Sequence, residues 1–249
     1  MRQGLQFSKD DFFHVNFAHR GLHDKEALIP ENSLAAFRAA REAGYGAELD
    51  VQLSKDGKVV VFHDDTLDRV CSVHGNVCDF NWADLKEMSL LGTDERIPLF
   101  TDVLDVFAGS GPLIVELKSG NRNNELCEKT YEILKNYSGV YCIESFHPFI
   151  VKWFKDNAPE VFRGQLAQPA GEYPDTVSKL SAWLLAGCRL SFLNEPDFIA
   201  YENTKRPARI LAKRKKGTLL FAWTSRTPDV DQALNDGVIF ENYRPSPKY

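Results

Sequence analysis

Two carboxylates, Glu48 and Asp50, stand two residues apart in the apolar stretch Ala47-Glu48-Leu49-Asp50-Val51, and Phe62-His63-Asp64 follows a dozen residues on. Alternate side chains of a strand share a face, so a spacing of two aims both carboxylates at one place. A buried carboxylate is costly unless it is paired, hydrogen-bonded or metal-bound, so the pair demands a partner. Glu116 and Lys118 repeat the spacing at the end of another apolar run, and His19-Arg20-Gly21 closes a third. Glu48, Asp50 and Glu116 supply hard oxygen donors that suit Mg²⁺ or Ca²⁺ better than zinc. Arg20 and Lys118 suit phosphate oxygens, one as a fork and one as a point charge. His19 and His63 carry imidazoles, which can serve as general acid and base, worth typically ~10²–10⁴-fold in rate. Trp223 offers an apolar wall. The chemistry this set supports is metal-assisted phosphoryl transfer. A salt-bridged strand pair, Glu48 and Asp50 against Arg20 or Lys118, is the plainer reading, and the third carboxylate weighs against it.

These groups converge only if strands deliver them to one end. Apolar runs at 15–18, 46–52, 59–62, 113–117, 140–145, 161–167, 189–193, 219–223 and 238–241 read as strands, with helical spacing between most of them. Pro30-Glu31-Asn32-Ser33 looks like a helix start, followed by Leu34, Phe37 and Ala40 at helical spacing up to Gly44. The alternation predicts a parallel α/β architecture, a (β/α)8 TIM barrel of somewhat irregular form with its polar groups at the C-terminal strand ends. Nine strands are one too many, and 189–193 is expected to be the short or displaced one. The link 53–58, with its Asp56-Gly57 turn signal, allows a hairpin. An antiparallel return would carry His63 away from the strand-one end that holds His19, so a short parallel crossover is the expected connection. The irregular stretch 65–112 is long enough to be an insertion over the mouth.

At 249 residues the chain suits one barrel-sized domain, 1–249, and 43% hydrophobic with 26% charged residues predicts a packed globular core. A net charge of −5 argues against a nucleic-acid binder. Lys213-Arg214-Lys215-Lys216 reads as the solvated end of a helix before Gly217. Met1-Arg2-Gln3-Gly4-Leu5 carries no signal-peptide pattern and no 18-residue apolar window occurs, so a cytoplasmic protein without stable membrane insertion is expected. Five irregularly spaced cysteines outline no disulfide framework; Cys71-x2-His74-x3-Cys78 lacks a fourth ligand for structural zinc and reads as loop thiols.

The sequence resembles the glycerophosphodiester phosphodiesterase family. The resemblance runs through His19-Arg20-Gly21, Pro30-Glu31-Asn32-Ser33, Glu48-Leu49-Asp50-Val51, Val61-Phe62-His63-Asp64, Glu116-Leu117-Lys118, Ser145-Phe146, Ala222-Trp223-Thr224 and Asp236-Gly237-Val238-Ile239, in the family's order. It implies a barrel enzyme that hydrolyses glycerophosphodiesters to sn-glycerol 3-phosphate and an alcohol with one divalent cation, Mg²⁺ or Ca²⁺. The acid/base pair falls on His19 and His63, the metal ligands on Glu48, Asp50 and Glu116, and substrate contacts on Arg20, Lys118 and Trp223. The pattern departs at Val70-Cys71, where small hydroxyl residues are usual, and at His147, where a smaller polar residue is usual. Two alternatives stand beside it: a phospholipase-like barrel in which the substrate's own hydroxyl forms a cyclic phosphate, and a non-catalytic phosphate-binding barrel. Membrane docking by the first would call for an exposed basic or aromatic rim, which is not evident, and binding alone needs no acid/base pair.

Overall fold

A computed structural model describes residues 4–230 and 232–249; Met1, Arg2 and Gln3, part of the stretch read for a leader, lie outside them. The order is β1 (Val15–Ala18), α1 (Leu34–Glu42), β2 (Gly46–Leu53), β3 (Val59–Val61), α2 (Asp68–Cys71), α3 (Trp82–Leu85), α4 (Phe100–Phe107), β4 (Leu113–Leu117) and α5 (Asn123–Leu134). It continues with β5 (Tyr141–Ser145), α6 (Pro148–Asn157), β6 (Arg163–Ala167), α7 (Lys179–Ala186), α8 (Ser191–Asn194), β7 (Phe198–Glu202), α9 (Ala208–Lys215), β8 (Leu219–Ser225) and β9 (Gly237–Phe240). Eight strands run parallel in the order β1-β9-β8-β7-β6-β5-β4-β2, and β1 pairs with β2 to close a TIM barrel. Among the described residues, no helix is long and apolar enough to cross a membrane.

The ninth strand corrects the expected crossover. β3 pairs antiparallel with β2, Val51 opposite Val61. Five residues and an Asp-Gly turn can close a hairpin but cannot carry a parallel return. His63 reaches the mouth nonetheless, because β2 overshoots the rim: β1 leaves it at Ala47, and β3 takes the vacated edge on the way back. The Phe62 amide donates to the Asp50 carbonyl at 3.0 Å, which sets His63 beside the carboxylates.

The other correction lies at 189–193. Cys188 adopts φ +44°, the Arg189 amide bonds back to Leu184, and the chain enters α8 instead of a strand. The sixth of the eight parallel strands is β7, Phe198–Glu202, whose Phe198–Tyr201 is a continuous apolar run of the kind that parallel strands covered on both faces require.

Inside the barrel, Phe12, Phe162, Phe198, Phe221 and Phe17 form a chain of stacked rings with centroids 4.6–5.8 Å apart. Gly164 and Gly237 make room for it, since a Cβ there would stand 2.1 Å from Phe198 and 2.8 Å from Phe221. The floor beneath the polar mouth is therefore dry and stiff. Outside, α4 packs on α1 and the barrel, whereas Phe62, Leu67, Val70, Val77, Leu85, Leu90 and Ile97 form a separate small core. Val70, one of the departures from the family pattern, belongs to that core and is buried.

Candidate active site

The turn after β1 shows how the short motifs work together. Arg20 adopts φ +54° and Gly21 φ +75°, and a Cβ on Gly21 would lie 2.8 Å from that of Ala36, so only glycine fits against α1. This turn points the Arg20 amide at Glu48 Oε2, 3.0 Å away. In the following motif Glu31 Oε1 accepts from Arg20 Nη1 at 2.7 Å, Asn32 Nδ2 donates to Asp50 Oδ2 at 2.9 Å, and Ser33 caps α1 by accepting from the Ala36 amide. One loop thus starts a helix and braces two site residues.

Glu48, Asp50 and Glu116 each bring a carboxylate oxygen within 4.8 Å of the others, and all three are buried. Burial pushes the Glu48 carboxyl well up, reinforced by the negative charges of Asp50, Glu116 and Glu144. Asp50 is pushed up by burial but held below the usual range by Lys118, His63, Arg20 and the Asn32 bond. Lys118 Nζ lies 2.9 Å from Glu116 and 3.5 Å from Asp50, and Arg20 Nε 3.6 Å from Asp50. Despite burial, those carboxylates raise the Lys118 ammonium above its usual value. Asp50 Oδ1 nevertheless has no hydrogen-bond donor. An oxygen-only cluster with an orphaned acceptor and a surplus of negative charge fits a hard divalent cation.

The two histidines are held alike. His19 Nδ1 stands 2.7 Å from Glu241 Oε2, and His63 Nδ1 stands 2.6 Å from Asp64 Oδ1. With Nδ1–H donated to a carboxylate, each ring is left with Nε2 for chemistry. His19 Nε2 is 3.9 Å from Glu48 Oε2. Burial lowers the His19 pKa, Glu241 opposes that by its hydrogen bond and charge, and Arg20 adds to the lowering. Asp64 is in turn bonded by Arg69, which also forks onto Glu31, and Gln52 Nε2 donates to the Phe62 and Asp64 carbonyls on either side of His63.

His19, Arg20, Glu48, His63, Glu116 and Trp223 line one cavity of 110 Å³. Lys118 instead lines a neighbouring groove of 440 Å³ with Gln52, Asn76, Asn121 and Arg122. Trp223 has its indole N–H committed to the Ala167 and Ala200 carbonyls and its ring edge-on to Phe146 at 5.3 Å, so it presents apolar surface to the cavity. His147 stands at the entrance to α6, against Phe149.

Three residues at the site were not singled out from the sequence. Glu144 follows Glu116 in strand register on β5 and lines the cavity, buried, with Oε2 unpartnered; the same spacing-of-two logic, Cys142-x-Glu144, could have found it. Glu241 ends the run 238–241 as His19 ends 15–18, a position signal in a barrel. Asn32 gives no such signal, because only the fold brings it to Asp50. The five cysteines, Cys71 and Cys78 among them, are free thiols.

Residues 19–242 match the Glycerophosphoryl diester phosphodiesterase family. The chain is 31% identical over 233 residues to a glycerophosphodiester phosphodiesterase of Caldanaerobacter subterraneus subsp. tengcongensis, covering 89% of this chain and 90% of that protein. It is 30% identical over 236 residues to a putative glycerophosphodiester phosphodiesterase of Bacillus subtilis, covering 89% and 92%. Among solved structures it is similar to an Oleispira antarctica phosphodiesterase in complex with the product sn-glycerol-3-phosphate, at TM-score 0.76, 25% identity and coverage of 94% and 95%. It is also similar to a glycerophosphodiester phosphodiesterase from Thermotoga maritima, at TM-score 0.70, 27% identity and coverage of 91% and 93%.

Proposed function

The chain belongs to the glycerophosphoryl diester phosphodiesterase family, and from that premise we propose that it hydrolyses glycerophosphodiesters to sn-glycerol 3-phosphate and an alcohol, with His19 and His63 as the acid/base pair. The observation that carries the reading is the gathering of Glu48, Asp50 and Glu116 within 4.8 Å of one another, with Glu48 and Glu116 lining one small cavity together with both histidines. Glu48, Asp50 and Glu116 would hold one divalent cation, Mg²⁺ or Ca²⁺, which when bound supplies charge stabilisation for the phosphate oxygens. Arg20 and Lys118 orient the phosphate and offset its charge. Of the two imidazoles, one takes the proton of the attacking water at Nε2, and the other gives its Nε2 proton to the alcohol oxygen as the phosphorus–oxygen bond breaks. Glu241 and Asp64 keep both rings in the working tautomer. Trp223 and Phe146 exclude water from one side.

The groove lined by Lys118, Gln52, Asn76 and Asn121 continues outward from the strand ends that carry Asp50 and Glu116, and we assign the alcohol arm to it. The part of segment 65–112 that carries Arg69 forms the rim over the mouth. The free thiols agree with work in a reducing compartment, the cytoplasm.

The test is to incubate the purified protein with glycerophosphocholine and with glycerophosphoethanolamine, with and without Mg²⁺ or Ca²⁺, and to assay sn-glycerol 3-phosphate. Product that requires the cation and disappears in His19→Ala and His63→Ala is the expected result. No product under any condition would overturn the reading.

A further inference from the structure

A second group of metal-ligating side chains meets at the same mouth. His19, from the end of β1, His23, from the loop into α1, and Glu241, just after β9, each offer one ligand atom within 4.8 Å of the others, all half-buried. Glu241 Oε2 lies 2.7 Å from His19 Nδ1 and 3.8 Å from His23 Nε2. The other oxygen, Oε1, is held by Arg226 Nε at 2.6 Å, so Glu241 offers a single donor in a fixed direction. Nothing in the proposed reaction uses His23.

The donor set differs in kind from the oxygen triad. Two imidazoles and one carboxylate suit zinc and its neighbours, whereas three carboxylates suit Mg²⁺ or Ca²⁺. Ligand atoms on a tetrahedral zinc, with bonds of about 2.0–2.1 Å, stand roughly 3.3 Å apart. The observed spacings bracket that value, so small side-chain movements would close the site and leave a fourth position for water. Arg226 and Arg20 are the opposing charges; Glu241 itself and Glu48, near the far side of the His19 ring, offset them.

We propose that His19, His23 and Glu241 form an inhibitory site for a borderline-soft divalent ion, zinc foremost, separate from the site of the catalytic cation. Its inhibitory consequence rests on the acid/base role proposed for His19; the binding does not. A metal on Nδ1 displaces the Glu241 hydrogen bond and leaves the neutral ring with its one proton on Nε2. Nε2 then has no lone pair with which to accept a proton, and His19 can no longer cycle between acid and base. Because Mg²⁺ binds imidazole poorly, zinc would inhibit without displacing it.

The protein is saturated with Mg²⁺ and titrated with ZnCl₂, by calorimetry without substrate and separately during turnover. One zinc per chain should bind, with inhibition tracking occupancy. His23→Ala should keep the Mg²⁺-supported rate while zinc binding and inhibition both weaken by at least about tenfold. His23→Cys, which returns a zinc ligand, should restore both. Glu116→Gln, which damages the oxygen site, should still bind zinc. Absence of zinc binding at saturating Mg²⁺, or zinc binding that is lost in Glu116→Gln but untouched in His23→Ala, would overturn the proposal. Zinc binding dependent on His23 in a protein that hydrolyses no diester would leave this site standing and refute the proposed reaction.

Discussion

Glu241 is the sharpest point at which to press the acid/base reading. It holds His19 Nδ1 at 2.7 Å and is itself kept ionised: burial pushes its carboxyl up, but the His19 hydrogen bond and Arg226 hold it far below the usual range. Glu241→Ala removes a mostly buried charge-assisted hydrogen bond, worth about 1.5–3 kcal/mol, and should lower kcat by about 10- to 150-fold. Glu241→Gln keeps an acceptor but loses the charge, a difference of about 1 kcal/mol or somewhat more, and should cost about five- to tenfold. The pH profile gives an independent reading. Burial already lowers the His19 pKa and the Glu241 carboxylate pushes back, so removing the carboxylate lowers it further. The limb of the profile that belongs to His19 therefore moves to lower pH in both variants, whether His19 is the acid or the base. Steady-state kinetics from pH 5 to 9 would check this. A kcat within twofold of wild type for Glu241→Ala, or a limb displaced to higher pH, would refute the positioning role.

Glu116→Gln should weaken the cation dependence of turnover by about 10- to 100-fold, read as a shift in the Mg²⁺ or Ca²⁺ activation curve. Gly164→Ala places a Cβ where the Phe198 ring stands; overpacking of about 1–3 kcal/mol should lower Tm by about 2–12 °C. The Glu31–Arg69–Asp64 cluster makes a third case. Burial raises both carboxyls, but Arg69, with Arg20 on Glu31 and His63 on Asp64, pulls each to about 2. Folded values below the unfolded ones mean stability present above about pH 4.5 and lost as pH falls toward about 2. Arg69 is half exposed, so Arg69→Ala should cost about 1–2 kcal/mol at pH 7 and almost nothing near pH 2, as denaturant unfolding at both would register.

The local rules of the chain were enough to announce the barrel and most of its mouth. Period-two alternation put Glu48 and Asp50 on one face, strand-helix alternation implied parallel strands, and parallel strands bring their C-terminal ends to one rim. Each of these depends on neighbours within a few residues, so sequence carries it. The contacts that span the chain were decided elsewhere. β3 returns antiparallel, yet His63 still faces His19, because β2 extends beyond the rim by a length that only its pairing with β1 and β4 defines. Residues 189–193, with Arg189 and Ser191 among them, and 198–202 both carry large apolar side chains, and only the second forms a barrel strand, paired on both sides by β6 and β8. Asn32 reaches Asp50 across 18 positions and Glu241 reaches His19 across 222. A hydrogen bond of that reach leaves no local periodicity, since its partners are neighbours only once the barrel has closed.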